Sequence, residues 1–500
     1  MCILLWTLPS SNHPRFKFAL ASNRDEFLGR ETSRADFWDL DPVLTKAIQQ
    51  SQPLSSNNVP VPALTEPHPS PVGVLTGQDL QPSQATNYTI QEVFSFSNQE
   101  EQQQQEEQQV GLVLDTKDIP GTWLGMTTHG DFVALTNFRE SEAYMAEKRD
   151  PKLSRGKVCG EFLVTMAAAH HMEQQEDDEV GLECAERNGA GATGAADQIV
   201  STFRSKNTSE NRVKKDQAEK WIRRRAVGWE DEFEGLNLLV VQNAGDQQCV
   251  GGNRLGSELT VFNKSVPTTT TATTSTTTTT TEVGAERIVE GSIVGVSNSV
   301  FTQPWAKVTI GAKALECVLN KSIALFGTEL HASYKGNTYS NNSSASPVLE
   351  DDTKEIAWLV VQMLTLLRTN TQPFPPEVLT SAPKLALGLR ERVFIPRVEF
   401  GGPTMEYGTR SSTITLFGRE RHGKEEGAGG GVAVLVEKVW YGERDSVTGK
   451  RTEYTSDSSE GLVWWQGRVG QPRQQWRRVI GEELEVLLKH ARDSGRPTQA

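Results

Sequence analysis

The chain lacks any stretch of about 18 uninterrupted apolar residues, the length a bilayer-spanning helix needs, so no transmembrane segment is expected. It is poor in cysteine: five are scattered at Cys2, Cys159, Cys184, Cys249 and Cys317, an odd number with no Cys-x-x-Cys pair. That pattern argues against a disulfide framework and for free thiols in a reducing compartment. Positive charge is also short, with 51 Lys and Arg against 64 Asp and Glu, a net charge of -13 and a pI near 5.3. Nucleic-acid and anionic-membrane surfaces need concentrated cations, so no nucleic-acid partner is expected. Histidines are few: His129 and the pair His170-His171 have no His-x-x-x-His or Cys spacing, and they read as ordinary surface or turn residues. Neither a metal nor a cofactor is expected. The apolar run Ile3 to Leu8 lacks a basic leader and is too short for a signal core, which points to a cytoplasmic chain. The Asn-x-Ser and Asn-x-Thr triplets at Asn87, Asn207, Asn263 and Asn342 then read as chance matches.

What the chain does hold is core material. Of its 500 residues 36% are hydrophobic, with 11 Trp and 18 Phe, enough to bury a sizeable interior. Residues 2–8 and 16–21 read as a hairpin ending at Asn23. Further strands are expected over 122–127, 132–136, 236–242, 248–252, 289–296, 392–400, 411–417, 432–441 and 461–465. Helical periodicity marks 156–170, 212–229, 304–326, 354–368 and 479–491. The helix over 212–229 carries Lys214, Lys215, Lys220, Arg223, Arg224 and Arg225 around Trp221 and Ile222, which reads as a solvated charged face.

Between these elements lie low-complexity tracts, at about 47–109 (Pro, Ser and Gln), 173–197, 265–283 (threonine) and 419–431 (ending in a glycine run). They are too polar to offset the entropy of ordering and read as insertions in one domain spanning 1–500. The match Gly189-Ala-Gly-Ala-Thr-Gly194 falls in one of them with no strand before it, so it reads as linker rather than a dinucleotide loop. Strands at both ends with helices between them imply an α+β class.

Chemistry concentrates near the start. If Met1 is removed, Cys2 carries a thiol and an α-amine on one residue, and an amine of pKa about 7.7–8.0 is a suitable base for that thiol. Such a nucleophile also needs oxyanion donors and an Arg-carboxylate pair. The candidates are Asn23, Arg24, Asp25, Glu26, Asn137, Asn298 and Arg410.

Met1-Cys2-Ile3, Ala21-Ser-Asn-Arg-Asp-Glu-Phe27, Ala35-Asp-Phe-Trp38, Gly121-Thr-Trp-Leu-Gly125 and Ala134-Leu-Thr-Asn-Phe138 form an ordered set. Phe233-Glu-Gly-Leu-Asn237, Gly295-Val-Ser-Asn298 before Pro304-Trp305, and Tyr407-Gly-Thr-Arg-Ser-Ser412 continue it. Together they resemble the NRDE family, also called the transport and Golgi organisation 2 family. The resemblance implies a four-layer αββα sandwich similar to N-terminal nucleophile hydrolases. It implies Cys2 as nucleophile, Arg24 and Asp25 beside it, Asn137 and Asn298 as amide donors and Arg410 as a late arginine, with Asn23, Glu26 and Trp123 lining a ligand pocket. The choloylglycine hydrolase and penicillin V acylase branch carries Arg-Asn-x-Asp after its second strand, where this chain has Asn23-Arg24-Asp25-Glu26.

The family's link to Golgi organisation and protein secretion implies a trafficking role, cytoplasmic with Golgi or mitochondrial association left open. Two molecular alternatives stand beside it: a Cys2-dependent amidohydrolase, and a carrier of an acyl or haem-like ligand in the same cleft without turnover. Protein partners stay open.

Overall fold

A computed structural model describes residues 2–9, 11, 13–39, 42–43, 46, 52–53, 72–77, 89–96, 108–115, 119–138, 154–187, 217–226, 233–252, 259–263, 293–333, 348–369, 372–375, 378, 382–399, 406–419, 430–445, 448, 450–456 and 458–494. The strands begin with β1 (Ile3–Thr7), β2 (Phe16–Phe27), β3 (Asp36–Phe37), β4 (Gln52–Pro53), β5 (Val74–Thr76), β6 (Thr89–Phe96) and β7 (Gln108–Asp115). They continue with β8 (Leu124–Thr127), β9 (Phe132–Asn137), β10 (Leu236–Gln242), β11 (Gln247–Gly252), β12 (Thr260–Asn263) and β13 (Ile293–Val296). The last are β14 (Val398–Glu399), β15 (Glu406–Gly418), β16 (Val432–Val439), β17 (Tyr441–Arg444), β18 (Arg451–Glu453), β19 (Leu462–Arg468) and β20 (Arg477–Val479). Among the described residues the longer helices are α1 (Arg155–Arg187), α2 (Gln217–Ala226), α3 (Ala306–Ser333), α4 (Val348–Leu367), α5 (Ala382–Glu391) and α6 (Gly481–Ser494).

Two antiparallel sheets dominate. One has eight strands in the order β13-β1-β2-β15-β16-β19-β20, with β14 beside β15; the other has seven, β12-β11-β10-β9-β8-β5-β3. Alternation along each strand assigns the layers, because successive side chains point to opposite faces. In β1, Leu4 and Trp6 join Phe18, Leu20 and Leu435 from their own sheet and Phe132, Leu239 and Val241 from the other in the core between the sheets. Ile3 and Leu5 point the other way and pack with Ala19, Ile414 and Val436 under α3, α4 and α6. The seven-stranded sheet turns Val133, Leu238 and Val240 outward beneath Val158, Phe162 and Leu163 of α1 and Trp221 of α2. Helix, sheet, sheet, helix is therefore the layering, and the α+β sandwich expected from the sequence is observed.

The elements differ from the sequence reading in particular places. Helix α1 runs beyond His170 to Arg187, through much of the tract read as an insertion from 173, because Glu, Gln and Leu there are good helix formers. Strands β4, β6 and β7 lie in or against the tract read as unstructured over 47–109 and form a three-stranded sheet. The expected strand over 392–400 shrinks to Val398–Glu399; Pro396 has no N–H for a ladder, and Ile395 donates to the Thr409 side chain at 2.7 Å instead. The basic stretch at 212–229 is helical over Gln217–Ala226, and it buries Ala218, Trp221 and Ile222 while Arg223 and Arg224 stay exposed. The Gly189–Gly194 match and the threonine tract lie outside the described residues. Among the described residues no helix is long and apolar enough to cross a membrane.

Candidate functional site

Strand register builds the site. Ile3 pairs with Asn23 on β2 and Leu4 with Val296 on β13, both antiparallel. One step further toward the N-terminus, Cys2 falls opposite Arg24 on one side and Asn298 on the other. A short bond confirms the β13 side: Ser297 Oγ donates to the Cys2 carbonyl at 2.6 Å. By parity with Leu4 and Trp6, the Cys2 side chain belongs to the space between the sheets, where Arg24 also points. Both are buried.

Arg24 is held on two sides. Its Nη2 lies 2.8 Å from Glu26 Oε2, and its guanidinium carbon sits 3.5 Å from the Trp123 ring centroid on the facing sheet. Nη1 is buried and donates to no atom of the described residues. Burial lowers the Arg24 pKa to about 10, Glu26 raising it, Arg410 lowering it and Cys2 raising it, so thiol and guanidinium share one electrostatic field. Trp123 owes its position partly to Gly77, where any Cβ would come within 2.5 Å of Trp123 Cη2. Arg410 closes the cluster, Nη1 donating to Glu26 Oε1 at 3.0 Å and to the Arg30 carbonyl.

The amide candidates divide. Asn298 Nδ2 donates to the Asn137 carbonyl, and Asn298 Oδ1 accepts from Ser297 Oγ at 3.2 Å. Asn137 therefore reaches the site through its main chain. Asn23 faces the other way: its Nδ2 donates to the carbonyls of Leu367 and Val393, both at 2.8 Å, and its Oδ1 accepts from Ser412 Oγ. It pins α4 to the sheet and lies outside the cleft, contrary to the pocket-lining role given to it from sequence. The reason is parity, since Asn23 and Arg24 are neighbours on one strand. Asp25 shares the helix-facing side with Asn23 and accepts from Thr409 Oγ1 at 2.5 Å.

Other residues at the site escaped the sequence reading. Lys307, fully buried, interacts electrostatically with Asp25 and with Cys2. Glu437 accepts the Ala35 N–H at 2.8 Å and feels both Arg24 and Arg34; burial raises its pKa. A lone carboxylate in the apolar run Val-Ala-Val-Leu-Val-Glu was a legible signal for it. Asn237 donates to Thr136 Oγ1 at 3.2 Å and to the carbonyls of Ser297 at 2.8 Å and Ser299 at 2.9 Å, stitching the loop after β13 to the facing sheet. Ala35 and Thr76 also line a neighbouring cleft of about 330 Å³ with Ser33, Arg34, Phe37 and Arg478.

His170 and His171 need a correction, whereas His129 lies in the turn between β8 and β9. His170 and His171 are buried, His170 Nε2 lies 2.7 Å from Asp131 Oδ2, and the His129 ring stacks on His170 at 4.3 Å. Burial, then His170, pushes the His129 pKa well down. Helix α1, packed on the β8–β9 hairpin, supplies the cover that made these histidines interior. Among the described residues no group of three His, Cys, Asp or Glu could hold a metal ion.

The family model described as Transport and Golgi organisation 2 matches residues 1–50 and 91–425. No curated protein matches the chain.

Proposed function

Since the chain belongs to the transport and Golgi organisation 2 family, we propose that it serves Golgi organisation and protein secretion through a site whose reactive group is the Cys2 thiol. Its chemistry is hydrolysis of an amide. The observation that carries this reading is the register that sets Cys2 between Arg24 and Asn298, with Arg24 Nη1 undonated inside the cleft. After removal of Met1, the thiol proton passes to the α-amine and the sulfur attacks the amide carbon, while the guanidinium and the second N–H of Asn298 Nδ2 receive the developing oxyanion. The C–N bond then breaks, the leaving nitrogen takes the proton from the α-ammonium, and water activated by the same amine releases the acid from the thioester. The chain works from the cytoplasmic side, with Golgi or mitochondrial association.

A second reading has its own support. Arg24 is committed to Glu26 and Trp123, and one Asn298 amide hydrogen to the Asn137 carbonyl. Such prior engagement suits retention of an acyl or haem-like ligand without turnover. Intact-mass measurement and an amide library separate the two. Loss of Met1 together with hydrolysis that disappears in Cys2→Ala supports the enzyme. Retained Met1, or cellular function undiminished in Cys2→Ala, contradicts it and leaves the carrier.

A further inference from the structure

We propose that the cleft of about 330 Å³ where the edges of the two large sheets meet binds a small aromatic carboxylate, held by Arg34 and Arg478. This goes beyond the Cys2 reading and does not depend on it.

Strand β3 ends the seven-stranded sheet and β20 ends the eight-stranded one. An edge strand has no neighbour on one side, and here the segment 33–38 and Arg478 bound the space left between the two edges. The frame of that space is fixed by named contacts. The Ala35 N–H donates to Glu437 Oε2 at 2.8 Å, and the Ala35 carbonyl accepts from Trp465 Nε1 at 3.2 Å, so β16 and β19 both hold the segment entering β3. The Phe37 ring meets Trp465 edge-on at 5.0 Å and Trp476 at 6.0 Å between centroids. A Cβ on Gly73 would come within 2.7 Å of Phe37 Cε1. The Arg473 guanidinium carbon lies 5.3 Å from the Phe37 centroid, and its Nη1 donates to the Trp38 carbonyl at 3.3 Å. A cleft built this way is preformed, so a ligand entering it meets little ordering cost.

Its chemistry follows from which polar groups are already committed. Thr76 Oγ1 donates to the Leu124 carbonyl at 2.5 Å, and Asp36 Oδ1 accepts the Phe37 N–H at 2.8 Å. On β20, Arg477 is paired with Glu483 at 2.6 Å. Its neighbour Arg478 belongs to the opposite face of the strand and makes no hydrogen bond or ion pair among the described residues. Arg34 makes none there either, and its interaction with buried Glu437 is electrostatic only. The Trp38 indole N–H is buried and donates to no atom of the described residues. Two guanidiniums against the one carboxylate of Asp36 leave the lining singly positive, which suits a monoanion. A dianion such as a phosphate monoester would set its second charge against Asp36. A planar guanidinium fork matches a carboxylate, while Ala35, Phe37 and Trp38 offer apolar surface to a ring. The volume stands at the lower end of small-molecule sites, about 300–1,000 Å³, and fits one ring with a short acid side chain.

Isothermal titration calorimetry of the full chain with phenylacetate, phenylacetamide and phenyl phosphate tests this. Phenylacetate is expected to bind saturably, and phenylacetamide, its neutral isostere, about tenfold more weakly. Arg34→Met and Arg478→Met are each expected to weaken phenylacetate about tenfold, and the double variant to abolish binding. Arg478→Lys should fall between, since it keeps the charge and loses the fork. Both arginines are exposed, so their variants are expected to keep the wild-type urea midpoint and the comparison stays readable. Binding in Cys2→Ala is expected to equal wild type. No saturable phenylacetate binding up to about 10 mM, equal affinity for the amide, tighter binding of phenyl phosphate, or full binding in the double variant overturns the proposal. Binding lost in Cys2→Ala places the ligand at the other site and overturns it too. Absence of amide turnover together with Arg478-dependent binding sinks hydrolysis and leaves this inference standing.

Discussion

Glu26 is the carboxylate on which two site arginines depend, and Glu26→Gln measures that dependence. It lies 2.8 Å from Arg24 and 3.0 Å from Arg410, with side-chain exposures of 10% for Glu26, 8% for Arg24 and 18% for Arg410. Gln keeps the shape and one acceptor but removes the charge, so two guanidiniums are left facing a neutral amide. Removing one member of a buried ion pair costs about 3–5 kcal/mol. The remaining acceptor and the residual exposure of Arg410 place the expected loss at the lower end, about 3 kcal/mol. Urea unfolding followed by fluorescence reads it as a lower midpoint with an unchanged slope. Adding Arg410→Met should recover part of the loss, since one stranded cation goes with it. A loss of at most about 0.5 kcal/mol, the value of an exposed pair, would refute the reasoning that this cluster is a closed polar core.

Further outcomes follow from other parts of the molecule. His13 is buried, and burial with Arg419 and Arg15 lowers its pKa to about 4. The unfolded chain then binds the proton more tightly between about pH 6.5 and 4, so stability is full above that window and falls by roughly 3 kcal/mol across it; His13→Gln should flatten this part of a stability-against-pH curve, and an unchanged curve would count against it. Burial pushes the Cys249 thiol up to about 12 and Cys159 well above its ordinary value, whereas Cys317 is exposed. Native alkylation with mass mapping should modify Cys317 and spare the other two, and labelling of Cys159 at the Cys317 rate would contradict the packing of α1. Gly77→Ala should cost about 1–3 kcal/mol, because its Cβ would sit 2.5 Å from Trp123 Cη2. A neutral substitution would mean that Trp123 is not fixed over Arg24.

Much of the fold was legible because alternation of apolar side chains survives between the low-complexity tracts. The first two strands, the β10–β11 hairpin and α3 stand close to where composition and periodicity put them. What was hidden depends on pairing between distant segments. Cys2 and Arg24 were legible as residue types, but only the antiparallel register sets them opposite each other, and the same register turns Asn23 away. Lys307 gave no local signal, since a lysine opening a helix ordinarily reaches water. His170 and His171 became interior when α1 closed over the β8–β9 hairpin, a tertiary event that no local spacing encodes. The extension of α1 through Glu173 to Arg187 shows helix propensity outweighing polarity, which had suggested an insertion.

The most direct test of Cys2 as the reactive group is an acid quench during incubation with an amide library, followed by mass analysis of the N-terminal peptide. The account predicts an acyl group carried on Cys2, present in wild type and missing from Cys2→Ala. Continued amide cleavage with Cys2 never acylated, or the same adduct forming only on another residue, would contradict it.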